Sequence, residues 1–177
     1  MTKDNCGAGC AQDEGHEGHD FSAADFVRYE IDMFRTAYTA WEQYKDDGFL
    51  NNVFLEVLLV HFRALHSLLH KDGAVPNGAV GLREFFSSDV SLEDFMQSRC
   101  AGDNLAYLNA QDARAAVKLG PLTRERMDDM AEWDIHKIYE LTDKSIEALM
   151  ICAPETFPEP VHDECHDPEC EDPGCAE

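Results

Sequence analysis

The sequence predicts an all-α fold: a helical bundle of four main helices, with a crossover containing short helices and irregular Cys/His-rich termini. Three observations carry that prediction. First, residues 50 to 70, LNNVFLEVLLVHFRALHSLLH, place Leu55, Leu58, Leu59, Phe62, Leu65 and Leu69 at the three-and-four spacing of one helical face. Second, Val53, Phe54, Val57, Val60 and Leu68 widen that stripe until the segment is apolar almost all round, a pattern suited to the middle of a bundle. Third, no strand-like alternation of useful length and no internal repeat occurs anywhere in the chain.

In chain order, Ser22 opens the first helix, with Asp25 three positions on in a capping-box pattern. Phe26, Tyr29, Met33, Ala37, Trp41 and Tyr44 mark its expected buried face, flanked by Phe34 and Tyr38, and the helix should stop near Asp46 to Gly48. Asn51 or Asn52 is the expected cap of the central helix. That helix is too short and too interrupted, by Glu56, His61, Arg63 and His66, to suit a bilayer.

After Lys71-Asp72-Gly73, the stretch through Pro76, Asn77, Gly78 and Gly81 reads as a loop crossing an end of the bundle. Leu82 to Phe86 and Ser91 to Met96 read as short helical turns, anchored by Phe85, Phe86, Leu92 and Phe95. A break at Ala101 to Asn104 precedes a third main helix from Leu105 to Leu119, which Gly120-Pro121 stops. Thr123 caps a further stretch through Met127 and Met130, which Trp133-Asp134 interrupts. Ile135, Ile138, Thr142, Ile146 and Leu149 define the last face, closing before Pro154.

The chain of 177 residues has the length of one domain. Its net charge of −22 is spread unevenly: residues 1 to 20 sum to −4 and residues 154 to 177 to −9, leaving −9 for residues 21 to 153. The expected organisation is therefore an N-terminal tail (1–20), a helical domain (21–153) and an acidic C-terminal tail (154–177). Such acidity argues against gripping nucleic acid through basic patches. The first 20 residues lack an apolar h-region and hold one basic residue, which predicts a cytoplasmic protein without a signal peptide. In that reducing compartment the seven cysteines read as metal ligands or free thiols rather than as a disulfide framework.

Five of those cysteines lie in the tails, with four of the eight histidines. The N-terminal tail presents Cys6, Cys10, His16 and His19, and the C-terminal tail presents His162, Cys165, His166, Cys170 and Cys175. Ligand pairs two to four residues apart let one short loop deliver two donors to one ion, which is why zinc sites recur at that spacing. Neither tail has an apolar face to order it, whereas zinc bound by thiolate and imidazole supplies on the order of 10 kcal/mol. The mixed ligand set suits Zn(II) first, followed by Ni(II), Co(II), Cu(I) and Fe(II). In an antiparallel bundle with an even number of main helices both chain ends emerge on the same side, so the tails could share an ion. Inside the bundle, His66 and His70 share a face of the central helix and Glu132, His136 and Glu140 share one of the last; if those faces meet, with Glu56 or His61 as a further ligand, they could hold a metal, whereas the plainer reading is of histidines at a helix C-terminus and a solvated acidic face.

The stretch LEVLLVHFRALHSLL, the Phe-rich crossover and PLTRERMDDMAEWDIHKIYEL together resemble a family of uncharacterised bacterial helical proteins related to the HEPN bundles, over roughly residues 20 to 150. The resemblance implies an R-x(4-6)-H ribonuclease motif, usually working across a dimer, and here Arg63 and His70 satisfy R-x6-H. The motif falls in the second main helix, although the family pattern places it near Lys118 to Arg126, where Gly120-Pro121 stands without a histidine. The expected function is metal binding by the tails, in a structural, sensing or storage role. The alternatives are an HEPN-like ribonuclease and a toxin-antitoxin or regulatory partner, with a homodimer or a protein partner left open.

Overall fold

The computed structural model describes residues 21–71, 80–121 and 132–158. Within them lie five α-helices and one 3-10 turn, and no strand among the described residues. They are α1 (Ala23–Gln43), α2 (Gly48–His70), the 3-10 turn (Leu82–Phe85), α3 (Asp89–Ser98), α4 (Gly102–Leu119) and α5 (Ile135–Cys152).

Cross-element bonds fix the topology. Asn51 Nδ2 donates to the Trp41 carbonyl at one end of the α1–α2 pair, and His61 meets Glu30 towards the other, so the two helices run antiparallel. Arg63 pairs with Asp112, and Arg99 donates to the Leu69 carbonyl, which sets α4 antiparallel to α2. Lys137 stands over the Tyr107 ring and the Cys100 N–H donates to Ser145 Oγ, so α5 reverses again. Arg35 with Asp143 closes α5 against α1. The result is an up-down-up-down bundle with α3 packed on α5 as an excursion between α2 and α4.

The core follows one face of the central helix as expected, with Leu58, Leu59, Phe62, Leu65 and Leu69 buried and Leu55 half-buried, but Val53 and Val60 stand exposed, so the helix is not enclosed on all sides as its apolar pattern predicts. At roughly 1.5–3 kcal/mol for each large side chain fully buried, this one face is the largest apolar contribution of any helix among the described residues. Ile135, Ile138, Thr142, Ile146 and Leu149 of α5 are buried as their spacing predicts. Phe85, Phe86 and Phe95 anchor the excursion, and packing continues past α5 through Ala153 and Phe157.

Three local expectations need correction. In α1 the buried positions are Val27, Ile31, Phe34 and Ala37, whereas Phe26 and Tyr29 stand exposed. The helix is rotated by about one residue from its aromatic stripe, because α2 and α5 both press on the Val27–Phe34 side. The cap of α2 is Asp47, whose carboxylate accepts from the N–H groups of Phe49 and Leu50. Asn51 instead ties α2 to α1, and Asn52 bonds the Gly48 carbonyl one turn back. The break before α4 ends at Ala101, and Gly102, at a φ of 59°, takes the left-handed turn that starts the helix earlier than the apolar spacing indicates. The stretch through Thr123, Met127 and Met130 and the Pro76–Gly78 loop lie outside the described residues.

Candidate functional site

The described chain enters and leaves at one end of the bundle. Ser22 caps α1 reciprocally with Asp25, whose carboxyl is held below its ordinary range first by the Ser22 hydroxyl and then by the Ser22 backbone N–H. One turn further, Arg28 reaches the other terminus: Nη2 donates to the Thr156 carbonyl, and the guanidinium lies over the Phe157 ring, 5.7 Å from its centroid. Thr156 Oγ1 donates to the Phe85 carbonyl, and Phe157 packs on Phe85. Arg28 thus fastens the segment after α5 to the start of α1. The sequence did not signal this latch, because an Arg-to-carbonyl bond across the whole chain has no spacing to recognise.

All nine predicted tail ligands, Cys6, Cys10, His16, His19, His162, Cys165, His166, Cys170 and Cys175, lie outside the described residues. Among the described residues no group of three or more His, Cys, Asp or Glu side chains is arranged to hold a metal ion. Of the interior candidates, His61, His66 and His136 are instead drawn into hydrogen bonds with single partners. His61 Nδ1 meets Glu30 at 2.7 Å, and Tyr29 sets its ring edge-on to that imidazole. His136 Nδ1 meets the Tyr38 hydroxyl at 2.9 Å and lies 3.7 Å from Glu42, both partners coming from α1. Tyr38 in turn stacks on Tyr139 with centroids 3.7 Å apart. Burial, and then the charge of Glu42, raises the Tyr38 hydroxyl above its usual pKa, so the phenol stays neutral.

Arg63 and His70 both belong to a polar layer between α2 and α4. Asp112 is its hub, accepting from Arg63 Nε at 3.1 Å and from Lys71 Nζ at 3.1 Å. Burial works to raise the Asp112 carboxyl, but the bonds from Lys71 and Arg63 outweigh it and hold it below the usual range. His66 Nε2 meets Asn109 Oδ1 at 2.9 Å, and the His70 ring lies 5.2 Å from it, buried. Desolvation lowers the His66 pKa despite the opposing pull of Asn109 and Asp112. The layer therefore combines a fixed ion pair with neutral imidazole, an arrangement that locks α2 to α4.

The two cysteines of the bundle are quiet. Cys100 is buried, and burial raises its thiol pKa. Cys152 is raised first by burial and then by Asp94. It lines a groove of about 580 Å³ with Phe85, Ser88, Ser91, Asp94 and Glu155. Both thiols remain protonated near neutrality, unlike a reactive thiolate.

Comparison of the chain with protein-family models, with characterised proteins and with solved structures finds no match in any of the three.

Proposed function

We propose that this protein binds a transition metal, zinc(II) foremost, through the Cys and His side chains of its two terminal segments, and that the ion joins those segments over one end of the bundle. Ni(II), Co(II), Cu(I) and Fe(II) are the other ions that the donor set accommodates. The observation that carries the reading is the Arg28 latch. It brings residue 21, where the segment with Cys6, Cys10, His16 and His19 ends, and residue 158, where the segment with His162, Cys165, His166, Cys170 and Cys175 begins, to the same end of the bundle.

Donors that leave one place can meet on one ion without bending the domain. A structural ion offers each polar segment the ordering free energy, on the order of 10 kcal/mol, that an apolar face would otherwise supply. Arg63, held by Asp112, and the buried His70 act in this reading as parts of the framework. The role is structural, sensing or storage rather than catalytic.

A cobalt(II) titration of the chelator-stripped, reduced full-length chain tests this. The expected result is saturation at a small whole number of ions, with thiolate-to-metal charge-transfer absorption and tetrahedral ligand-field bands, displaced by zinc. The Cys165→Ser/Cys170→Ser variant should lose most of that signal while keeping its helical circular dichroism. Cobalt bands of full intensity in that variant would place the site elsewhere.

A further inference from the structure

Among the described helices α2 alone is long and apolar enough, by length and composition, to cross a membrane, which corrects the expectation that it is too short, and half of its apolar window is buried inside the bundle. The rest lies on its outward side. Val53, Val57, Val60, Ala64 and Ser67 follow one another at spacings of four, three, four and three, the repeat by which two helices interlock side chains along a shared seam. Val53 is 39% exposed and Val60 50%, and Phe49 at the start of the helix is 76% exposed. Beside this stripe, across the α1–α2 groove, stand Phe26 and Tyr29, which are 58% and 54% exposed. The Glu30–His61 bond and the edge-on contact of Tyr29 with the same imidazole hold the Tyr29 ring against α2, with Phe26 one turn earlier on α1.

We infer that this face is a homodimer interface, with the α2 helices of two copies packed antiparallel about a two-fold axis near Val57 and Val60. Self-complementarity in that register selects a second copy as the occupant. Val53 of each copy meets the small Ala64 of the other, which allows the close helix approach of about 8 Å. Phe49 falls beside Leu68 of the other copy, within reach of its Phe26, so the most exposed aromatic rings cover one another.

The charges agree with the same register. Lys45, Asp46, Asp47 and Glu56 leave the N-terminal half of the stripe at −2, whereas residues 57–71 carry Arg63 and Lys71 and no acid. Antiparallel pairing sets Asp46 and Asp47 against Lys71 of the second copy, whose side chain is 54% exposed even while it bonds Asp112. A parallel pairing would instead stack like ends. The exposed parts of Phe26, Tyr29, Phe49, Val53 and Val60 offer on the order of 500 Å², the same order as the roughly 800 Å² that each partner buries in a standard interface. Repulsion between two acidic chains is screened at physiological salt.

Sedimentation equilibrium of the reduced full-length chain at micromolar concentration and about 0.15 M salt tests the interface. The wild type is expected to be a dimer. Val60→Glu, at a half-exposed position near the axis, should weaken it at least tenfold with unchanged helical circular dichroism, and Val53→Gln, elsewhere on the stripe, should do the same. Asp46→Lys should weaken the dimer, and adding Lys71→Glu should restore it, since only antiparallel pairing brings those ends together. A monomeric wild type overturns the inference, whether it stays alone, binds phosphatidylcholine vesicles or travels with another protein. So does a dimer that neither Val60→Glu nor Val53→Gln weakens, or one that the double charge reversal fails to restore.

Discussion

Thr142 carries a hydroxyl into the α5 face of the core, and its Oγ1 is buried with no hydrogen-bond partner among the described residues. A buried unpaired polar atom costs roughly 1–3 kcal/mol, and replacing it with an apolar group of the same shape removes that cost. Thr142→Val is therefore expected to raise the chemical-denaturation midpoint by about 1 kcal/mol of stability, whereas a lower midpoint would show that the hydroxyl has a partner. His66 supplies a pH dependence whose sign follows from its burial. Its folded pKa lies below the ordinary 6.5, so below 6.5 the unfolded chain takes up a proton that the folded chain resists. Stability is complete above that pH and declines as the pH falls below it. Melting temperatures from pH 7 to pH 5 should fall more steeply for the wild type than for His66→Gln, which has no proton to gain. Parallel curves would mean that His66 titrates freely in the fold.

At the scale of elements, the structure separates two kinds of sequence signal. Apolar spacing identifies the buried Leu/Phe face of α2 and the buried face of α5, where neighbours press on both helices, but the valines that widen the α2 stripe, Val53 and Val60, lie exposed. It misread α1 because aromatic residues there occupy two faces, Phe34 and Trp41 inward and Phe26 and Tyr29 outward, and the stripe of rings looked like a core. The outward rings continue the exposed apolar surface of α2, so that misreading and the homodimer inference have one cause. The start of α2 was displaced for a different reason: three cap-forming residues, Asp47, Asn51 and Asn52, lie within six positions, and only the backbone shows which one accepts the free N–H groups. Asp47→Ala should cost about 1 kcal/mol, while Asn52→Ala, which removes one exposed bond to the Gly48 carbonyl, should change stability by no more than a few tenths. Equal losses in thermal unfolding would contradict the assignment of the cap.

For the whole molecule, the all-α bundle was legible because the main segments of the domain carry helical spacing and the Gly- and Pro-containing stretches separate them in the sequence. The candidate site was legible only as chemistry. Cysteine and histidine spacing nominated nine tail ligands, but spacing within a tail cannot say where that tail departs from the fold. That came from Arg28, Thr156, Phe157 and Phe85, four residues scattered along the chain whose contacts close one end of the bundle. Arg63 stands out in the sequence only through its spacing to His70, and its pairing with Asp112 was hidden, since an ion pair between helices leaves no periodicity.

If one ion draws donors from both terminal segments, elemental analysis of protein purified without added metal will reveal it. The wild type, Cys6→Ser/Cys10→Ser and Cys165→Ser/Cys170→Ser are compared at equal helicity. Stoichiometric zinc is expected in the wild type, with a matching loss in each paired variant. A wild type that carries no metal and takes up no zinc stoichiometrically, or a metal content unaffected by the Cys6/Cys10 replacement, would contradict a shared ion.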